Sequence, residues 1–229
     1  LYGRHAHRIC AGGPRPATHG SRGTFGALTG AAHIDVNQGA VFGDADPGEV
    51  SALARFITAA GVPAIVARSR TVADAVVEPL AAAGFRPLPE REILYGTDVL
   101  PDAVASPFTV RRIASMADVA ALRPIAREIH GYEPELADPL LGLRALADEG
   151  VGGWLAWEGD EAVGCAFTTR VGRTLGLWGV MTSVRHQRRG VGSVVVRAAL
   201  REAASTLPGP FERTVFWASP AGGPFYASL

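Results

Sequence analysis

The stretch that decides the fold runs Leu177-Trp178-Gly179-Val180-Met181-Thr182-Ser183, then Val184-Arg185-His186, then Gln187-Arg188-Arg189-Gly190-Val191-Gly192-Ser193. Its first part is apolar enough to be a strand. Its last part leads into Val191–Ser205, where Val191, Val194, Val195, Ala198 and Ala199 recur at helical spacing. Two glycines therefore stand where a strand turns into a helix. A helix N-terminus exposes unpaired N–H groups and a partial positive charge. Glycine lets the backbone approach a phosphate closely, so the junction suits an anion. Arg188 and Arg189 supply charge for further contacts to phosphate.

Gly-x-Gly alone says only that a helix begins on two flexible residues. Two phosphate-binding patterns are excluded by the residues themselves. A Walker loop ends in Gly-Lys-Ser/Thr, and this chain has no Lys. A dinucleotide fingerprint has a small residue at its third glycine position, which here is Val195.

Outward from the junction the pattern continues in both directions. Upstream, Gly153–Glu158, Glu161–Arg170 and Arg173–Ser183 read as three successive strands, turned at Gly159-Asp160 and at Gly172. Before them come a strand at Phe108–Ile113, a helix at Ser115–Ile129 capped by Ser115, and a second helix at Pro139–Asp148. Downstream, Arg213–Ala218 is a strand and Phe225 opens a helix. The order is β-α-α-β-β-β-α-β-α.

The first part of the chain is less regular. Residues 1–30 are rich in Gly, Arg, Pro and His and read as irregular, with one candidate strand near Thr24–Leu28. His33–Val41 reads as a strand. Asp46-Pro47-Gly48-Glu49 opens a helix that runs to Ala60 and stops at Gly61. Pro63–Ala67 is a strand. A second helix begins near Thr71, with Ala73, Val76, Val77, Leu80 and Ala81 on one face, and Arg86–Val99 holds one or two strands. Residues 101–106 read as a linker. The two halves end on the same run of elements, which suggests an internal repeat.

Composition narrows the function classes. The 229 residues are 48% hydrophobic and 19% charged, and 22 basic residues balance 22 acidic ones. That allows one large domain or two small ones and gives no basic excess to draw nucleic acid or a membrane surface. The basic residues are all Arg, which with the Ala, Gly and Pro content points to a GC-rich bacterial source. Cys10 and Cys165 have no metal-type spacing, so no metal site is expected and a reducing, cytoplasmic setting is. No signal-peptide core and no bilayer-length apolar run is visible.

Gln187-Arg188-Arg189-Gly190-Val191-Gly192 resembles motif A of the GNAT superfamily of N-acetyltransferases, Gln/Arg-x-x-Gly-x-Gly/Ala at a strand-to-helix junction. Gly222-Gly223-Pro224-Phe225-Tyr226-Ala227-Ser228-Leu229 resembles the superfamily's later Ala-x-x-Leu-Tyr-x-x-Leu stretch. The resemblance covers about residues 108–229. It implies an α/β (α+β) fold with a mixed, mostly antiparallel sheet flanked by helices. Acetyl-CoA is the implied cosubstrate. The backbone of Gln187, Arg188, Arg189, Gly190, Val191, Gly192 and Ser193 would cradle its pyrophosphate. Val180, Met181 and Thr182 would lie along its pantetheine arm, with an N–H near Val180 polarising the thioester. Tyr226 matches the tyrosine that protonates the departing thiolate, and Glu128 and His130 are the candidate bases, Glu128 the one taken forward.

The family pattern continues past the position of Leu229 with Gly-Phe and two more strands, so the C-terminal strands are expected to be missing here. A pantetheine-contacting Asn is replaced near Ser219. Residues 31–100, ending in Leu80-Ala81-Ala82-Ala83-Gly84-Phe85, resemble a degenerate GNAT half, and residues 107–229 the acetyl-CoA-binding domain. The expected activity is transfer of an acetyl group to a primary amine by direct attack. The alternative is a non-catalytic module that senses acyl-CoA or binds a partner. The expected acceptor is a small-molecule or peptide amine, and a homodimer is left open.

Overall fold

A computed structural model describes residues 13–88, 93–142, 146–147, 149–207, 209–220 and 222–229. The described residues divide into two compact units, one holding residues 13–88 and the other starting at residue 93.

The first unit contains a four-stranded sheet in the order β1 (Ala17–Gly20), β2 (Thr24–Leu28), β3 (Asn37–Val41), β4 (Ile65–Arg68). The first three are antiparallel, and β4 joins β3 in parallel. Between β3 and β4 runs helix α1 (Pro47–Ala60), and α2 (Asp74–Ala82) follows β4. Helix α1 forms where the sequence places it because its ends are locally satisfied. Asp46 accepts from the Glu49 N–H at 2.9 Å, Glu49 accepts from the Asp46 N–H at 3.1 Å, and Gly61 closes the helix at φ +64°. Val50, Leu53, Ala54 and Ile57 bury its apolar stripe against Leu28 and Val41. The expectation of irregular structure through residue 30 is corrected: residues 17–28 form a hairpin. The strand expected at His33–Val41 is a 3-10 turn, Ile34–Val36, followed by β3.

The second unit contains a six-stranded sheet in the order β5 (Ile93–Thr97), β10 (Arg213–Ala218), β9 (Thr174–Thr182), β8 (Glu161–Val171), β7 (Val151–Glu158), β6 (Thr109–Arg112). Every pairing is antiparallel except β9 with β10. Helices α3 (Met116–His130) and α4 (Pro134–Leu141) lie between β6 and β7, α5 (Val191–Ser205) between β9 and β10, and α6 (Gly223–Ala227) after β10. The stripe of α5, with Val195, Val196, Ala199 and Leu200, packs on Ala156, Val163, Leu175, Leu177 and Phe216. Full burial of each Val, Leu or Phe among them stabilises the fold by about 1.5–3 kcal/mol. Gly164 lets α5 come this close, because a Cβ there would sit 2.6 Å from Val191 Cγ1.

Two expectations change in this unit. Helix α4 begins at Pro134 and ends at Leu141, five positions before the predicted start; residues 143–145 and 148 of the predicted helix lie outside the described residues. Strand β5, assigned from sequence to the half ending at residue 100, pairs with β10 and so belongs to the second sheet. The order β2-β3-α1-β4-α2 and the order β8-β9-α5-β10-α6 share the same pairing senses, antiparallel then parallel. Among the described residues no helix is long and apolar enough to cross a membrane, and no group of three His, Cys, Asp or Glu could hold a metal.

Candidate active site

The site is built where β9 leaves β10. Their parallel pairing runs from Arg213↔Thr174 to Phe216↔Leu177 and stops, while β9 continues to Thr182. Trp178–Thr182 therefore border a wedge in the middle of the sheet. A bulge explains the divergence. On the β8 side, Phe167 pairs with Trp178 and Cys165 with Met181, so two residues of β9, Gly179 and Val180, stand opposite Ala166 alone. Gly179 takes φ +56°, a left-handed conformation that favours glycine, and its carbonyl accepts from Cys165 Sγ at 3.3 Å. The extra residue bends β9 away from its neighbour. Val180 stands at the bulge, next to the end of the pairing.

The wedge leads to the N-terminus of α5. Gly190, at φ +87°, is the N-cap, and no side chain caps the helix. The first helical bond runs from the Val194 N–H to the Gly190 carbonyl at 3.1 Å, so the N–H groups of Val191, Gly192 and Ser193 precede it. Helices α1 and α3 differ, because each closes its mouth with a capping box: Asp46 with Glu49, and Ser115 with Asp118. The α5 mouth is open to an anion from outside, and the α1 mouth already holds its own carboxylates.

The loop before the cradle is held by three carboxylates from other elements. Glu128 of α3 accepts from the Val184 N–H at 3.0 Å. Glu161 of β8 pairs with Arg185. Glu158 of β7 accepts both terminal nitrogens of Arg189, at 3.1 and 2.5 Å, and lies 3.2 Å from His186 Nε2. The Arg189 guanidinium, hydrogen-bonded to it and helped by His186, outweighs the opposing effect of burial and holds the Glu158 carboxyl below its usual range. His186 is buried, with Nδ1 2.7 Å from Ser183 Oγ. Gln187 donates to the Thr182 carbonyl at 3.4 Å and Ser193 Oγ accepts from Arg197 at 3.1 Å. Arg188 is exposed, at φ +62°, with no ion pair among the described residues.

Thus Arg189, expected as a phosphate contact, spends its side chain on Glu158, and Arg188 is the loop arginine left facing solvent. Met181 is buried, so it offers backbone alone to the wedge. Helix α6 closes the other side. A Cβ on Gly192 would sit 3.4 Å from Phe225 and 3.6 Å from Thr182 Oγ1, which brings strand end, cradle and α6 together. Tyr226 packs on Phe216 at 4.4 Å between ring centroids. Burial pushes its phenol up to about 12, so it carries its proton at neutral pH. Burial also raises the Cys165 thiol far above its ordinary value, which leaves it inert at neutral pH. Cys10 lies outside the described residues.

Glu128 meets this cluster at its loop: its partner Val184 lies past the end of β9, in the turn between Thr182 and Gln187. The structure thus brings together Val180, Thr182, Gln187 to Ser193 and Tyr226, and holds Glu128 at the loop. Sequence reading missed Glu158 and Glu161. The available signal was an acidic turn, Glu158-Gly159-Asp160-Glu161, matched in charge by the Arg-rich loop.

Residues 118–219 match the acetyltransferase (GNAT) family. The chain is similar in structure to a GCN5-related N-acetyltransferase from Kribbella flavida, at 18% identity and a TM-score of 0.63, over 95% of this chain and 86% of that one. It is also similar to a functionally unknown conserved protein from Staphylococcus epidermidis ATCC 12228, at 10% identity and a TM-score of 0.60, over 93% of this chain and 88% of that one. At these identities the likeness is one of fold. No curated protein matches.

Proposed function

We propose that this chain, whose residues 118–219 match the acetyltransferase (GNAT) family, moves an acetyl group from acetyl-CoA to a primary amine by direct attack. The observation that carries the reading is the wedge between β9 and β10, opening onto an uncapped helix mouth. An extended chain of amides fits along Trp178–Thr182 as an added strand, and a pyrophosphate fits at the N–H groups of Val191, Gly192 and Ser193. Coenzyme A is one molecule with both parts in that order.

In this reading Gln187 to Ser193 cradle the pyrophosphate mainly through backbone, with Arg188 adding charge. Val180, at the bulge, offers its N–H to the thioester carbonyl, where negative charge develops as the amine attacks. The carbon–nitrogen bond forms and the carbon–sulfur bond breaks. The thiolate takes a proton from Tyr226. A phenol pushed to about 12 is a weak acid for an exposed thiolate, but burial raises a thiol as well. Glu128 receives the amine's proton through a chain of water, with Oε2 anchored on Val184. The acceptor is a small-molecule or peptide amine, and the setting is the bacterial cytoplasm. In the first half Asp46 and Glu49 occupy the α1 mouth, which supports a degenerate half that binds no nucleotide.

Titration calorimetry with acetyl-CoA, followed by thiol release over an amine panel, tests the proposal. Binding with thiol release supports it. Binding without release leaves an acyl-CoA sensor, and no binding refutes both.

A further inference from the structure

We infer that Glu158 is a positioning residue for the cofactor loop, and that Arg189 acts as its tether rather than as a phosphate ligand; this rests on the acetyl-CoA reading above. Glu158 ends β7, outside the motif, yet it reaches two residues of the loop at once. Its carboxylate takes the Arg189 fork in two bonds. The same carboxylate meets His186, whose side chain is 6% exposed.

The proton positions follow from the partners. A carboxylate only accepts, so His186 Nε2 carries hydrogen towards Glu158. In the neutral ring Nδ1 then accepts from the Ser183 hydroxyl, 2.7 Å away. Ser183 is fixed in turn by its own N–H, which donates to the Val163 carbonyl at 3.0 Å. The chain Glu158, His186, Ser183 therefore runs from the end of β7 to Val163 in the neighbouring strand β8. It clamps the turn Val184–His186, and Arg189 clamps the next turn. Between the two clamps lie Gln187 and Arg188. Arg188 keeps its left-handed φ, a conformation that needs its surroundings to hold it. Directly after the second clamp comes Gly190.

Charge and position predict opposite signs. By charge alone, Glu158 repels a polyanion and neutralises Arg189, so Glu158→Gln tightens coenzyme A binding. By position, the amide keeps the shape but cannot accept both the Arg189 fork and the His186 N–H, so the loop loosens and binding weakens. The full chain is titrated with coenzyme A, and amide hydrogen exchange is followed in the ligand-free protein. The expected result for Glu158→Gln is a Kd about tenfold higher. Amides of 186–193 exchange faster, and those of α3 keep their wild-type rate. Glu158→Asp, which keeps charge and shortens reach, is expected to weaken binding too. With kinetics, the KM for acetyl-CoA rises and kcat at saturating acetyl-CoA stays put. Tighter or unchanged binding with unchanged exchange overturns the inference. If the wild-type chain binds no coenzyme A, the proposed function fails, and exchange in the ligand-free protein still decides whether Glu158 holds the loop.

Discussion

Replacing Gly190 with Ala tests the cradle through one backbone angle. Gly190 sits at φ +87° and ψ −1°, and a Cβ there would meet nothing within 4 Å. The variant therefore suffers no clash, only the conformational cost of a side chain in left-handed backbone, about 1–2 kcal/mol. For a unit of this size that lowers Tm by roughly 3–8 °C. The binding effect is larger. The left-handed well of Ala lies near ψ +47°, so relaxation turns the Gly190–Val191 peptide by about 50°. The Val191 N–H then points away from the anion. Losing one hydrogen bond to a charged group costs about 1.5–3 kcal/mol, or roughly 10- to 100-fold in Kd. Gly172→Ala is the matched control. Gly172 has φ +58° and equally open space at its Cβ, but it turns the β8–β9 hairpin at the far end of β9. Calorimetry with coenzyme A and thermal melts on both variants give the answer. Equal Tm losses with weaker binding in Gly190→Ala alone are expected. Two variants that bind coenzyme A as the wild type does would refute the cradle.

Tyr226→Phe is expected to lower kcat by about 100- to 10,000-fold and leave the Kd of coenzyme A unchanged, as measured by thiol release and calorimetry. The raised phenol also has a stability consequence. Its contribution is whole below pH about 10, the unfolded value, and is lost as pH climbs towards about 12, amounting to roughly 2–3 kcal/mol. Denaturation of Tyr226→Phe from pH 8 to 11 should therefore fall less steeply than that of the wild type. Calorimetric stoichiometry is expected at one coenzyme A per chain. It should stay at one in Asp46→Ala, which loses about 1 kcal/mol of helix stability without gaining a site.

What the sequence disclosed was local. The α5 junction is legible because glycine and helix-end chemistry are properties of neighbouring residues. The α1 start is legible for the same reason, since Asp46, Pro47 and Glu49 satisfy one another within a single turn. Helix α4 was misplaced because Pro134 and Pro139 give the same start signal and only packing separates them. β1 is four residues, Ala17 to Gly20, with too little apolar period to register, and its strand character comes from pairing with β2. β5 joined the wrong half because its partner β10 lies more than a hundred residues away in sequence. The same holds at the site. The Gly-x-Gly mouth and Tyr226 were visible, but the commitment of Arg189 to Glu158 is a contact across 31 positions, and no spacing rule reports it.

The parting of β9 from β10 has a consequence for the protein's handling outside the reaction. A sheet normally keeps its unpaired edges at its rim, where bulges and charges protect them. Here the run Trp178–Thr182 makes a second kind of edge, inside the sheet, flanked by Trp217, which is 37% exposed. A foreign strand could dock on such a seam, so the chain is most vulnerable to self-association when nothing lies along it. A ligand that completes the pairing closes the seam. Purification and storage with coenzyme A present should thus preserve monodisperse material for reasons unrelated to turnover.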